Sequence, residues 1–210
     1  MKSAWHQTCA FIRDTTASDK PFATSGAIST MSAVYAVSLL RMSLILSQSK
    51  IKDRSKLLRL QEYLRELEAA SKELSRLSDK DVQSFHSFLE ALKIPKEPGT
   101  RSALRSATVR ITRLESIRVP LQTSKEILKT LGSIRPLISV CSKGLLCDLL
   151  VAANLMCVSI INLGLNIIEN SRALSPGKRD DLSSQVKLLN AKARAHLKKL
   201  QLEIGMITGY

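Results

Sequence analysis

Among 210 residues, Asp148 is the single charge in the run from Leu145 to Ile168. An unpartnered charge removed from water is expensive. Desolvation raises the pKa of such a carboxyl, which suits a group that carries protons. The structural alternative is a cap at a helix N-terminus or an ion pair with Lys143. Arg118 poses the complementary question. It falls on the apolar side of its helical stretch next to Pro120, and a cation there needs either a carboxylate of the fold or an anionic ligand. Asp81 follows Ser78 by three residues, the spacing of a capping box, so it reads as a helix start as readily as an acid–base group. His86 reads as a surface or packing residue. Cys9, Cys141, Cys147 and Cys157 form no CxxC pair, which argues against a zinc centre and against a disulfide framework.

The elements that position these residues read as helices. Residues 25–47 and 145–168 are nearly uncharged and apolar almost all round, as central helices are. Leu57, Leu60, Leu64, Leu67, Leu74 and Leu77 recur at helical spacing across 50–77, with Glu68 and Lys72 as a favourable pair one turn apart. A restart is expected at Ser78–Asp81, with Val82, Phe85, Leu89 and Leu92 on its apolar face and a stop at Pro95 and Pro98-Gly99. Residues 101–131 place Leu104, Ala107, Ile111 and Leu114 on one face, and Pro120 should kink or split that helix. The last helix carries Leu182, Val186, Leu189, Ala193, Leu197, Leu200 and Ile204. Residues 3–13 suit a short amphipathic helix, 14–26 a loop, and 137–143 stay unassigned. No strand alternation is present. Hydrophobic residues are 44%, aromatics only 4%, and eight Gly and six Pro are too few for an all-β chain. The expected fold is therefore all-α: one domain over residues 1–210, a helical bundle with two central apolar helices wrapped by amphipathic ones.

Two such helices are long enough to span a bilayer. However, Arg41 interrupts one, and Asp148, Asn154, Asn162 and Asn166 recur along the other, each costly in lipid. A buried core, no membrane partner and, since the N-terminus lacks the apolar run of a secretory signal, a cytoplasmic home are expected. The net charge of +14 attracts anions. Residues 91–143 hold eleven basic residues against Glu97, Glu115 and Glu126. Arg101 and Arg105 share a side, but Arg110, Arg113 and Arg118 point elsewhere, and no aromatic residue there can stack on a base. Nucleic acid is not the expected partner; a small polyanion is.

Residues 77–96, LSDKDVQSFHSFLEALKIPK, resemble the signature of the cyclodeaminase/cyclohydrolase family of folate enzymes. That family includes the C-terminal domain of formiminotransferase-cyclodeaminase and free-standing methenyltetrahydrofolate cyclohydrolases. Leu77, Asp81, Phe85, Pro95 and Lys96 fall on its positions without a gap, with Ser84 for the usual Ala and Ile94 for Leu. Val119-Pro120-Leu121 resembles its Val-Pro-Leu. Cys147-Asp148 with Val151-Ala152-Ala153 resembles its Ser-Asp and Val-Ala-Ala, and Asn166 and Asn170 its paired asparagines. PFATSGAIST sits where the family has a Pro-Gly-Gly-Gly-Ser loop opening an Ala-rich helix.

The resemblance implies a helical homodimer acting on a tetrahydrofolate one-carbon adduct, with no metal and no cofactor besides that substrate. A cyclodeaminase closes the 5-formimino to the 5,10-methenyl form and expels ammonia. A cyclohydrolase adds water to the methenyl carbon, and the lack of an attached formiminotransferase domain favours it slightly. Both reactions pass through a tetrahedral carbon between two nitrogens and need proton transfer. Asp148 and Asp81 are the candidate catalytic residues. Lys96, Asn166, Asn170, Ser25, Gly26 and Arg118 are the candidates for substrate binding, and the basic surface suits a folate polyglutamate. Two departures open a second reading, a catalytically decayed folate-binding or scaffold protein: the triple glycine is reduced to Gly26, and the family's Gly-Asn-x-Asn becomes Cys141-Ser142-Lys143-Gly144.

Overall fold

The computed structural model describes residues 24–95 and 100–209. Five long helices carry the chain: α1 (Ser25–Gln48), α2 (Arg54–Lys93), α3 (Thr100–Gly132), α5 (Leu146–Ser171) and α6 (Pro176–Thr208). A single turn α4 (Ile134–Leu137) and a 3-10 turn (Lys143–Leu145) bridge α3 to α5. Among the described residues there is no strand.

The ends follow local chemistry. Thr24 caps α1 by accepting from the Ala27 N–H at 3.0 Å, and Asp53 caps α2 by accepting from the Ser55 N–H at 2.8 Å. α2 stops at Lys93, and Ile94 is extended (ψ 127°), as the residue before a proline must be. α6 opens on Pro176 and closes on Gly209 in the left-handed conformation (φ 80°).

α5 is the hub, packed against α1, α3 and α6, while α1 lies between α2 and α5, and α2 packs on α3. Leu40, Leu44, Leu74, Leu131, Leu149, Met156 and Leu163 are fully enclosed. α1 buries small residues, among them Gly26, Ala33, Ala36, Ser43 and Ser47. Its hydroxyls donate back to the preceding turn (Thr30 Oγ1 to the Gly26 carbonyl at 2.8 Å, Ser47 Oγ to the Ser43 carbonyl at 2.7 Å), so they enter the core satisfied. Arg41, the one charge of α1, pairs with Glu68 of α2 at 2.5 Å.

Three expectations are corrected. No helix restarts at Ser78: α2 runs unbroken from Arg54 to Lys93 and Asp81 is mid-helix, so the capping box does not form. The inward face of this half is Leu74, Leu77, Ser78, Asp81, Ser84 and Ala91, not the face of Val82, Leu89 and Leu92. α3 continues through Pro120 without a break, and its buried side starts at Ile117; Leu104 (62% exposed) and Ile111 (59%) face solvent. The helix expected at 3–13 and the candidate Lys96 lie outside the described residues.

Candidate functional site

The first turn of α1 meets the middle of α2 and the last turns of α5 at a buried carboxyl. Asp81 is 5% exposed. It is there because α2 keeps its helical period through Leu74, Leu77 and Ser84, which puts residue 81 on the core stripe. The Thr24 hydroxyl donates to Asp81 Oδ2. The N–H of Ala27 also acts on this carboxylate. Both donors belong to the N-terminus of α1, where the helix leaves N–H groups unpaired and carries partial positive charge. Burial pushes the Asp81 carboxyl above the ordinary aspartate range, and the Thr24 and Ala27 hydrogen bonds only partly offset it. Among the described residues Asp81 has no ion-pair partner.

Gly26 gives the carboxyl its room. A β-carbon on residue 26 would stand 2.6 Å from Asp81 Oδ2 and 2.9 Å from Asn166 Nδ2, closer than atoms can pack. Glycine is thus required here for close approach. Asn166 Nδ2 donates to Ser25 Oγ at 3.4 Å. One turn on, Asn170 Nδ2 donates to Asn166 Oδ1 at 2.6 Å and to the Ser116 carbonyl of α3 at 3.0 Å. Four helices therefore contribute to one cluster: Thr24, Ser25 and Gly26 from α1, Asp81 from α2, Ser116 from α3, and Asn166 and Asn170 from α5.

Of the residues picked out in the sequence, the fold brings together Ser25, Gly26, Asp81, Asn166 and Asn170. It does not bring Asp148 to them. Asp148 sits in the first turn of α5, separated from Asn166 by about 27 Å of helix at 1.5 Å per residue. It is half-buried rather than stranded in the core, and it accepts from Ser43 Oγ at 3.4 Å. Arg118 takes one of the two partners its sequence setting allowed, a carboxylate of the fold, but from an exposed face rather than an apolar one. Its side chain is 54% exposed and bonds Glu115 through two contacts of 2.9 and 2.8 Å, so its partner is a carboxylate one turn back. The altered Cys141–Gly144 loop is at the Asp148 end, where the Ser142 N–H donates to Ser47 Oγ at 2.8 Å.

Two contributors escaped the sequence reading. Thr24 carries a detectable signal, a hydroxyl residue directly before an apolar helical run. The Ser116 carbonyl carries none of its own, since any residue has one. Among the described residues no three His, Cys, Asp or Glu side chains gather into a metal site.

The arrangement can hold and release a proton at Asp81, and it can orient a polar ligand with the Asn166 amide, the Ser25 hydroxyl and the first N–H groups of α1. Comparison with known proteins bears on the family and the fold. A family model described as formiminotransferase-cyclodeaminase matches residues 8–184. The crystal structure of formiminotetrahydrofolate cyclodeaminase from Thermotoga maritima is similar over 98% of each chain, with a TM-score of 0.79 at 17% sequence identity, a likeness of fold. No curated protein sequence matches.

Proposed function

The chain belongs to the formiminotransferase-cyclodeaminase family, and from that footing we propose that it is a folate one-carbon enzyme whose reaction runs at Asp81. The reaction taken first is cyclodeamination, the activity named by the matching family model and by the similar structure, ahead of the cyclohydrolase that the sequence slightly favours. N10 of 5-formiminotetrahydrofolate attacks the formimino carbon and gives a tetrahedral carbon between N5 and N10. A carboxylate takes the N10 proton, and the protonated carboxyl returns one to the departing nitrogen, which leaves as ammonia as the methenyl bridge forms. Burial holds this carboxyl above its usual range and so favours its protonated form, while the Thr24 and Ala27 donors favour the carboxylate, so both forms that the reaction needs find support at the site. In this reading the Asn166 amide and Ser25 hydroxyl orient the pterin side of the substrate; their nearness to Asp81 across Gly26 supports it. The observation that carries this reading is the buried Asp81 carboxyl at the N-terminus of α1, set against a glycine that admits no side chain.

Water addition to the methenyl carbon, the cyclohydrolase reaction, passes through the same tetrahedral carbon and could use the same carboxyl. Turnover assays with each substrate, followed by the absorbance of the methenyl form, separate the two. The decayed alternative is disfavoured by the retention of Gly26 and by Thr24, which replaces a loop glycine and itself donates to Asp81. The excess of basic residues, 32 against 18 acidic, supports attraction of a folate polyglutamate.

A homodimer is part of the proposal. α5 leaves a stripe of Val151, Asn154, Leu155, Val158, Asn162 and Leu165 exposed, with Val158 at 53% and Leu165 at 66%. The stripe is nearly palindromic about Val158. Val151 mirrors Leu165, and Asn154 mirrors Asn162. Two copies of α5 crossing antiparallel at Val158 would match apolar with apolar and amide with amide, whereas lipid would surround two polar amides with hydrocarbon.

A further inference from the structure

We infer that Pro120 is a positioning residue: by lacking an N–H, it frees the Ser116 carbonyl to fix the asparagine pair beside Asp81. In an unbroken α-helix the N–H of residue 120 would donate to the carbonyl of residue 116. Proline has no such donor, and its ring crowds that carbonyl outward. α3 runs through Pro120, and Pro120 is buried. The Ser116 carbonyl instead accepts from Asn170 Nδ2 at 3.0 Å. The other N–H of the same amide donates to Asn166 Oδ1 at 2.6 Å. With its oxygen so held, Asn166 presents its nitrogen to Ser25 Oγ at 3.4 Å and to the space beside Asp81 Oδ2 and Gly26. A proline in one helix thereby sets an amide on another, which faces the carboxyl and the glycine carried by two more. Asn170 spends both N–H groups on the protein, so it too positions rather than binds through its nitrogen.

The catalytic consequence rests on the reading of Asp81 given above, but the wiring does not, and two measurements keep them apart. The first is a double-mutant cycle of Pro120→Ala and Asn170→Ala on thermal and urea midpoints, run without substrate. In the wild-type background Asn170→Ala strips the Ser116 carbonyl of its partner and lowers the midpoint. In the Pro120→Ala background the helix supplies its own N–H, and Asn170→Ala then costs much less. An equal drop in both backgrounds overturns the proposal. The second is turnover of 5-formiminotetrahydrofolate. Pro120→Ala keeps or raises the midpoint yet lowers kcat about tenfold or more, with KM changed far less, as expected when a site group is misplaced. Unchanged kcat in a variant whose wild-type parent is active overturns the positioning role. A wild-type chain that turns over no one-carbon folate overturns the functional reading, and the cycle still decides the wiring.

Discussion

At the scale of single residues, the account turns on what burial does to one carboxyl. Asp81 is held above the ordinary aspartate range, so the folded chain binds its proton more tightly than the unfolded chain does. The sign follows by linkage. Below the unfolded value of about 3.8 the group costs nothing. The penalty grows as pH rises and is complete above the folded value. Asp81→Asn removes that penalty, so the difference in urea midpoint between variant and wild type should move in the variant's favour from pH 3.5 to pH 7. A difference that moves the other way would show the carboxylate to be stabilised in the fold. Gly26→Ala tests the close approach: it should cost roughly 1–3 kcal/mol by overpacking and abolish turnover, because the new methyl meets Asp81 and Asn166. Gly144→Ala, with nothing within 4 Å, should leave both unchanged. Chemistry at this scale was half legible. The sequence marked Asp81 and Asn166, but it gave Asp148 first place because a lone charge in an apolar run looks buried. A helix with one face in solvent hides that distinction until its neighbours are known.

Among the elements, residue period was the reliable guide and local punctuation the unreliable one. The runs at 25–47 and 145–168 and the stripe Val186, Ala193, Leu200 and Ile204 are where their periodicity put them. Ser78 and Asp81 carry the letters of a capping box, and Pro120 those of a break, yet both lie inside continuous helices. Tertiary packing outweighs such signals: the core stripe of α2 needs residues 77, 81 and 84 in one register, and α3 tolerates Pro120 because the Ser116 carbonyl it orphans finds a side-chain donor. The face of Leu104 and Ile111 was misjudged because periodicity reveals an apolar stripe without saying what covers it. Close packing of α5 on α6 offers a test here. Gly164→Ala would put a β-carbon 2.7 Å from Val186 Cγ1, so a loss of roughly 1–3 kcal/mol is expected in chemical denaturation. A neutral result would mean that the two helices separate readily.

For the whole molecule, the all-α bundle was legible from composition and period together, while the pairing of helix ends that makes the site was not, since it joins residues far apart in sequence. α1 and α5 are each long and apolar enough to cross a membrane, and each also presents a packed face to the bundle. The proposed two-fold contact at Val158 predicts a dimer by size exclusion with light scattering, and Val158→Glu should convert it to monomer. A wild-type monomer, or capture by lipid vesicles in its place, would contradict that assembly. The most direct test of the central claim is a comparison of two conservative substitutions in one assay. With 5-formiminotetrahydrofolate as substrate and the methenyl product read by absorbance, Asp81→Asn should lower kcat by about 10²–10⁴-fold, the usual worth of a proton-transfer group. Asp148→Asn should stay within a few-fold of wild type. Full activity in the Asp81 variant, or a collapse in the Asp148 variant alone, would contradict the assignment.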